Sequence, residues 1–237
     1  MAARTPIHLN PATDVAERVL LPGDPQRALA VAQTLLDGPK MLNARRGLWG
    51  YTGVAPDGEL LTVQSTGMGG PSAAIVVEEL IDLGARTLLR IGTCGALVED
   101  LRLGELLAVR GALPEDGTSR ALGANGSAVP DAELTAALVE AGGARPATVV
   151  STDVFYDART GVQEEWVAAG AEAVEMEAAT VLTVAALRGA RGGCLLAVTD
   201  LIADPGRRRR MQQEAVEAVG VELGAAALRA LEALRPR

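Results

Sequence analysis

The feature of this sequence that most constrains its fold is an alternation of short apolar runs with segments of helical pattern, joined by glycine-rich turns. The apolar runs have the length and composition of buried strands, and they lie at residues 18–21, 87–92, 103–113, 147–152 and 192–200. Helical patterns lie between several of them, and a long alanine-rich one begins near Gln212. Strands that alternate with helices predict an α/β fold with a central sheet.

Capping and turn residues predict where some of these elements begin. Asp24 and Pro25 are typical of a helix start, as an N-cap and a first-position residue. Residues 67–84 read as a glycine-rich turn that opens a second helix. Residues 114–130 are polar and glycine-rich, which predicts a loop. No repeat or shift in composition divides the chain, so we expect a single domain over residues 1–237.

Composition indicates a globular chain and limits its partners. Hydrophobic residues make up 49% and charged residues 22% of the chain, which is too apolar for a disordered protein. The net charge of -8 argues against broad nucleic-acid binding, so an anion site has to be a local arrangement of arginines. No apolar stretch reaches membrane-spanning length, and no basic start precedes a long apolar signal. Cys94 and Cys194 offer neither metal-ligand spacing nor a disulfide framework, so we expect a reducing, cytoplasmic location.

The segment "TLLRIGTCGAL", residues 87–97, places an arginine at the end of an apolar run. Arg90 closes a pattern typical of a buried strand, and a buried charge is costly unless an opposite charge meets it. Thr93 follows in a short segment of small residues. Arg90 therefore requires a group of opposite charge, and we treat it as a candidate anion-binding residue.

Ligands bind α/β folds at the carboxyl ends of strands, and several predicted strand ends carry suggestive residues. Gly23 and Arg27 surround a helix N-terminus, where free N–H groups and the helix dipole favour an anion. Asp200 ends an apolar run, and the segment "VEMEAA" holds Glu175 and Glu177. Each feature also has a purely structural interpretation, as a turn glycine, a surface arginine or a helix cap.

Other nucleotide-binding and catalytic motifs do not fit. No glycine-rich loop ends in Lys-Ser or Lys-Thr, and "GMGGPS" has Ser72 where the dinucleotide fingerprint needs glycine. His8 is the only histidine and lies near the start of the chain, which is a poor basis for a metal site or a Ser-His-Asp triad. We therefore expect no metal and no cofactor.

Seven segments taken together resemble one enzyme family. In chain order they are "LLPGDPQRA", "RRGLWGYTG", "STGMGGPSAAIVVEEL", "RIGTCGAL", "TDVFY", "VEMEAA" and "AVTD". Their order and spacing are similar to those of the hexameric bacterial-type purine nucleoside phosphorylases, from His8 to the final helix. The resemblance implies a twisted mixed sheet, partly barrel-like and flanked by helices, in a hexamer of paired subunits. It also implies reversible phosphorolysis, in which a purine (deoxy)ribonucleoside and inorganic phosphate give the free base and (deoxy)ribose 1-phosphate.

The same resemblance implies roles for individual residues. The co-substrate phosphate would be held by Gly23, Arg27, Arg90, Thr93 and, from a neighbouring subunit, Arg46. The ribose would contact Met68, Met176, Glu177 and, from the neighbour, His8. The base would lie against Cys94, Gly95, Phe155, Glu175 and Thr199. Asp200 would be the general acid that protonates N7 of the leaving purine.

Three related functions remain as alternatives. A uridine phosphorylase would carry a Gln-x-Arg pair shortly after Phe155, where this chain has Asp157-Ala158-Arg159-Thr160. A nucleosidase uses water and lacks the arginine cluster, and a non-catalytic nucleoside-binding protein would lose part of the site. The resemblance leaves open which of Arg207 to Arg210 assists Asp200, and which of adenosine, inosine and guanosine is preferred.

Overall fold

The computed structural model describes residues 5–203 and 209–234. Within these residues the strands form one mixed ten-stranded sheet, and seven α-helices pack around it. The strands are β1 (Arg18–Pro22), β2 (Asp37–Asn43), β3 (Gly50–Val54), β4 (Leu60–Gln64), β5 (Thr87–Ala96), β6 (Leu106–Glu115), β7 (Arg145–Thr152), β8 (Ala173–Glu175), β9 (Arg191–Leu201) and β10 (Arg209–Arg210). The helices are α1 (Pro25–Leu35), α2 (Gly70–Asp82), α3 (Gly117–Ala121), α4 (Ala132–Glu140), α5 (Val162–Ala168), α6 (Ala178–Leu187) and α7 (Gln213–Ala233).

Part of the sheet closes on itself. The strand order is β10-β9-β6-β7-β8-β5-β1-β4-β3-β2, and β9 also pairs with β5. This additional pairing joins β5, β8, β7, β6 and β9 into a barrel, from which β1, β4, β3 and β2 extend as an open arm. Neighbours are parallel in the pairs β1–β5 and β5–β9 and antiparallel in β3–β4 and β6–β9. The predicted α/β fold, with a mixed and partly barrel-like sheet flanked by helices, is confirmed.

Local signals in the sequence account for the first two helices, α1 and α2. The carboxylate of Asp24 accepts a hydrogen bond from the backbone N–H of Gln26 at 2.8 Å, and Pro25 begins α1, both as predicted. Helix α2 follows Gly69, whose φ of +88° lies in the region that favours glycine. Gly84 ends the helical segment at a φ of +115°.

The prediction that residues 114–130 form a loop is wrong in part. The helix α3 begins there after its buried N-cap residue, Asp116. Asp116 is buried and caps α3, accepting the backbone N–H of Ser119 at 2.7 Å. The hydroxyl of Ser119 also donates to Asp116, and the hydroxyl of Thr180 donates to it at 2.9 Å. Since Thr180 lies on α6, these bonds tie the short helix α3 to α6.

Two apolar clusters hold the strands in place. One packs α1 and α7 against β1, β4 and β5, and the other packs α6 against the barrel strands. Each large apolar side chain buried this way stabilises the fold by about 1.5–3 kcal/mol relative to its exposed state. Among the described residues, no helix combines the length and the apolar character that crossing a membrane requires.

The parallel strands β1, β5 and β9 bring their polar carboxyl ends to one edge of the sheet. Along β5 and β9 the register runs without interruption until Cys94 lies opposite Val198. The next residue, Gly95, lies opposite Asp200, so Thr199 is an extra residue on β9 and forms a β-bulge. The bulge changes the direction of Asp200 at the point where the strand leaves the barrel.

Candidate active site

A cavity of about 870 Å³ opens where these strand ends meet. Its walls come from the ends of β1, β5, β8 and β9, the start of α1, and the loops that follow β4 and β7. All of the residues that the sequence predicts for the site line this cavity, except His8 and Arg46. Residues that are distant in the chain, such as Gly23 and Asp200, are therefore brought to one place.

Two carboxylates supply the opposite charge that the sequence required beside Arg90. The Nε of Arg90 donates to Oε2 of Glu175 at 2.9 Å, and its Nη2 lies 2.8 Å from the same oxygen. The same Nη2 lies 2.6 Å from Oε2 of Glu177. Burial alone would lower the pKa of Arg90, but the charges of Glu177 and Glu175 outweigh it and raise the pKa. Arg90 is thus a buried, permanently charged group held by two elements of the fold.

Glu175 holds Arg90 and the start of α6 at the same time. Its Oε1 accepts the hydroxyl of Ser151 and the backbone N–H of Ala178. Its Oε2 accepts the backbone N–H of Glu177 at 2.8 Å in addition to Arg90. A carboxylate at a helix N-terminus is favourable because the first N–H groups and the helix dipole are positive there. These contacts make Glu175 a positioning residue for Arg90, and its contact with a base stays a prediction.

Glu177 joins the barrel to the loop after β4. Its Oε1 accepts the backbone N–H of Gly69 at 2.5 Å, and its Oε2 faces Arg90. Burial and the charge of Glu175 raise the pKa of Glu177, against the opposing effects of Arg90, of the Gly69 N–H and of Arg27. The carboxyl group therefore lies between the two arginines and the glycine-rich loop.

Arg27, in the first turn of α1, lines the cavity. Its guanidinium makes no hydrogen bond and no ion pair with any residue in 5–203 or 209–234. Burial lowers its pKa most, the charge of Arg90 lowers it further, and Asp24 and Glu177 oppose these effects. Its side chain crosses Gly220 of α7, where a Cβ atom would lie 3.0 Å from Nε. The fold thus holds a partly buried guanidinium whose N–H groups are not used by the residues that the structure describes.

Asp200 lies at the opposite end of the polar wall. The hydroxyl of Thr199 donates to Oδ2 of Asp200 at 3.0 Å, and the Nε of Arg210 lies 3.7 Å from Oδ1. The side chain of Asp200 is 13% exposed and that of Arg210 is 65% exposed. Antiparallel pairing of β10 with β9 places Arg210 opposite Asp200. Of the four consecutive arginines, Arg207 and Arg208 lie outside the described residues.

His8 and Arg46 are on the surface of the subunit, outside the cavity. The Nδ1 of His8 lies 2.8 Å from Oε1 of Glu79. The two carboxylate oxygens of Glu79 also accept hydrogen bonds from the backbone N–H groups of residues 7–9. Burial raises the pKa of Glu79, but these hydrogen bonds outweigh it and the pKa is lowered. Arg46 is exposed and has a φ of +58° in a tight turn. Their predicted contribution to a neighbouring subunit's site stays a prediction.

Several residues of the cavity wall are not predicted from the sequence. Trp166, Gln163, Arg159, Asp157 and Ile202 line it beside the predicted residues. Most of them come from the loop after β7 and from α5, a seven-residue helix whose short pattern did not stand out. Trp166 is only 6% exposed and is one of two tryptophans, so its rarity was the one available signal.

Comparison with known proteins identifies the family. Residues 17–234 match the family model described as Phosphorylase superfamily, and the chain therefore belongs to that superfamily. It is 38% identical over 205 residues to the DeoD-type purine nucleoside phosphorylase of Geobacillus kaustophilus, covering 83% of this chain and 86% of the relative. It is 39% identical over 208 residues to the DeoD-type purine nucleoside phosphorylase of Jannaschia sp., covering 82% of this chain and 86% of the relative. It is also 39% identical over 191 residues to the guanosine phosphorylase of Halorubrum lacusprofundi, covering 78% of each chain.

The position of Arg90 against Gly92 leads to a stability prediction. A Cβ atom on Gly92 would lie 2.8 Å from Nη2 and 2.9 Å from Cζ of Arg90. We expect Gly92→Ala to push the guanidinium away from Glu175 and Glu177 and to lower the free energy of unfolding by about 2–4 kcal/mol, as when a buried ion pair is disrupted. Urea denaturation measures the change. Gly126→Ala is the matched control, because a Cβ atom there meets nothing within 4 Å; equal stability of the two variants would contradict the prediction.

Proposed function

We propose that this protein catalyses the reversible phosphorolysis of purine ribonucleosides and deoxyribonucleosides, which gives the free base and the pentose 1-phosphate. The observation that carries the proposal is Arg27, a guanidinium without an anionic partner among the described residues, in the same cavity as the carboxyl group of Asp200. The cation suits a phosphate, and the carboxyl group suits a leaving base. The names of the purine nucleoside and guanosine phosphorylases among the relatives support a purine nucleoside as the substrate.

Phosphate binding requires cations beyond Arg90, since the charge of Arg90 is already balanced. Glu175 and Glu177 face it, so the set formed by these two carboxylates with Arg90 and Arg27 has no excess of positive charge when all four groups are ionised. An additional cation is needed for an anion to bind strongly. This need supports Arg46 of a neighbouring subunit as the third arginine. The hydroxyl of Thr93 and the backbone N–H of Gly23 complete the proposed phosphate site.

The proposed reaction uses this phosphate both as a nucleophile and as a charge. Charge-assisted hydrogen bonds hold its oxygen in line with the anomeric carbon, which is catalysis by positioning. As the glycosidic bond breaks, positive charge develops on the sugar, and the adjacent anion stabilises it. Glu177 accepts hydrogen bonds from ribose hydroxyl groups, and Met68 and Met176 cover the apolar face of the sugar. His8 of the neighbouring subunit lies near the 5′-hydroxyl group.

The leaving base receives a proton from Asp200. The side chain stands at the end of β9 with little exposure, on the wall of the cavity that would hold the base. After the transfer Asp200 is a carboxylate, and Arg210 is the described arginine close enough to stabilise it. Phe155 is 52% exposed and packs edge-on against Tyr156, with ring centroids 5.0 Å apart, so one face is free to stack on a base.

The proposed function also includes an oligomeric state, a co-substrate and a cellular location. His8 and Arg46 can act only if another subunit receives them, which supports a homo-oligomer with shared sites, and by family analogy a hexamer formed as a trimer of dimers. Inorganic phosphate is the co-substrate, and the reaction uses no cofactor, metal or nucleic acid. The location proposed is the cytoplasm, where two free cysteines remain reduced. Uridine phosphorylase is not favoured, since the relatives act by name on purine nucleosides or guanosine.

The first functional prediction concerns phosphate dependence. Base release from inosine should require phosphate, and Arg27→Gln should lower kcat/KM for phosphate about 10- to 100-fold because one charge-assisted contact is lost. Arg110→Gln is the control, since Arg110 is a surface arginine outside the cavity. Steady-state kinetics with varied phosphate make the measurement. Undiminished base release in phosphate-free buffer would instead identify a nucleosidase.

The second prediction concerns the acid. Asp200→Asn keeps the shape of the side chain but cannot give up a proton, so phosphorolysis of inosine should slow by about 10²-fold or more. The base of 7-methylguanosine already carries a positive charge and needs no proton at N7. Its cleavage by the same variant should fall much less. Equal losses for the two substrates would mean that Asp200 positions the base and does not protonate it.

The third prediction concerns shared sites. Arg46→Ala and Arg27→Ala chains should each lose at least about 10-fold in kcat/KM for phosphate, because each removes one proposed phosphate ligand from every site. Mixed assemblies should regain activity, since some sites then draw Arg27 from one variant and Arg46 from the other. Co-refolding followed by an inosine assay tests this. Mixtures that assemble normally but remain as inactive as either parent would show that each subunit's site is self-contained.

A further inference from the structure

One part of the cavity wall has no role in the reaction proposed above. The loop after β7 and the start of α5 place Asp157, Arg159 and Gln163 on this wall, next in the chain to Phe155. Phosphate, ribose and the acid are assigned to other residues. Charged groups near a base-stacking ring remain available to interact with the edge of the base.

Asp157 and Arg159, two residues apart in the chain, form an ion pair. The Nε of Arg159 donates to both carboxylate oxygens of Asp157 at 3.0 Å, and its Nη2 lies 2.5 Å from Oδ2. The backbone N–H of Arg159 donates to Oδ1 at 2.9 Å. The hydrogen bonds lower the pKa of Asp157 and raise that of Arg159, so both groups stay charged.

The pair presents hydrogen-bond donors to the cavity and little acceptor capacity. Each oxygen of Asp157 already accepts two hydrogen bonds, which fills the usual capacity of a carboxylate. A guanidinium has five N–H groups, and Nη1 of Arg159 makes no hydrogen bond to any residue that the structure describes. Arg159 is 58% exposed, whereas Asp157 is 13% exposed, so the open side of the pair is the cation.

We propose that Arg159, held by Asp157, is a specificity-determining residue that selects 6-oxopurine nucleosides over 6-aminopurine nucleosides. This inference rests on the proposed function. The oxygen at C6 of hypoxanthine or guanine accepts a hydrogen bond from the guanidinium. The amino group at C6 of adenine is a donor, so it faces another donor and leaves the cation without its partner. The preference for 6-oxopurines therefore depends on whether the group at C6 of the base accepts or donates a hydrogen bond.

The experiment compares four substrates on wild-type protein and on Arg159→Met. Inosine and guanosine carry the 6-oxo group and adenosine carries the 6-amino group, while purine riboside carries neither and serves as the internal reference. We expect Arg159→Met to lower kcat/KM for inosine and guanosine about 10- to 100-fold, the range for one charge-assisted hydrogen bond, with purine riboside and adenosine changed less than about 3-fold. Arg110→Met, a surface change outside the cavity, is the matched control and should alter no ratio.

Asp157→Asn separates recognition from general damage. It leaves Arg159 in place but weakens the hold on it, so the inosine-to-purine riboside ratio should fall in the same direction and by less. A purely structural role of the pair would instead lower all four substrates together and leave their ratios unchanged, and that result would overturn the inference.

Failure of the proposed function gives a different result. If wild-type protein cleaves no purine nucleoside with phosphate, the phosphorolysis proposal fails, and calorimetric binding of hypoxanthine and adenine then decides the inference. Tighter binding of hypoxanthine that Arg159→Met abolishes supports it. Equal binding of the two bases, or a preference that the variant retains, overturns it.

Discussion

The interaction on which the site depends is the buried contact of Arg90 with Glu175 and Glu177. It joins β5 to β8, and through the other oxygens of the two carboxylates it also fixes the start of α6 and the glycine-rich loop after β4. A buried ion pair adds little net stability by itself, whereas removal of one partner leaves an uncompensated charge. Fold stability and site geometry therefore rest on the same few atoms, and a substitution that disturbs one disturbs the other.

The distribution of charge around this contact explains why the site has separate regions. Arg90 faces two carboxylates, Arg27 has no ion-pair partner among residues 5–203 and 209–234, and Asp200 stands beside the exposed cation Arg210. A guanidinium therefore stands beyond the end of β1, and a largely buried carboxyl group stands at the end of β9. An anion and a proton acceptor can be placed at these two regions without competing for the same groups.

Much of this arrangement could be predicted from the sequence, because it follows from local patterns. The α/β fold, the cap at Asp24 and the convergence of strand ends follow from apolar runs, capping residues and parallel pairing. Helix α3 could not be predicted, since it depends on the burial of Asp116 against α6. The partners of Arg90, Glu175 and Glu177, could not be predicted either. The sequence indicates that an opposite charge is needed, but only the tertiary contacts decide which group supplies it. From the sequence, Asp157 and Arg159 indicate only that the Gln-x-Arg pair of uridine phosphorylases is absent. Their place on the cavity wall depends on the tertiary fold, which the sequence pattern does not show.

The bulge at Thr199 determines which sequence changes in β9 would alter the direction of Asp200. Side chains alternate between the two faces of a strand, so one extra residue reverses the face of every residue beyond it. Up to Val198 each residue of β9 pairs in turn with one residue of β5, and beyond the bulge Asp200, not Thr199, lies opposite Gly95. Core positions can vary in size without turning the acid away from the cavity. Regular pairing of Thr199 with Gly95 in place of the bulge would turn Asp200 to the other face while the upstream barrel contacts stayed intact, so the chemistry of the site depends on the register of the strand as well as on its residues.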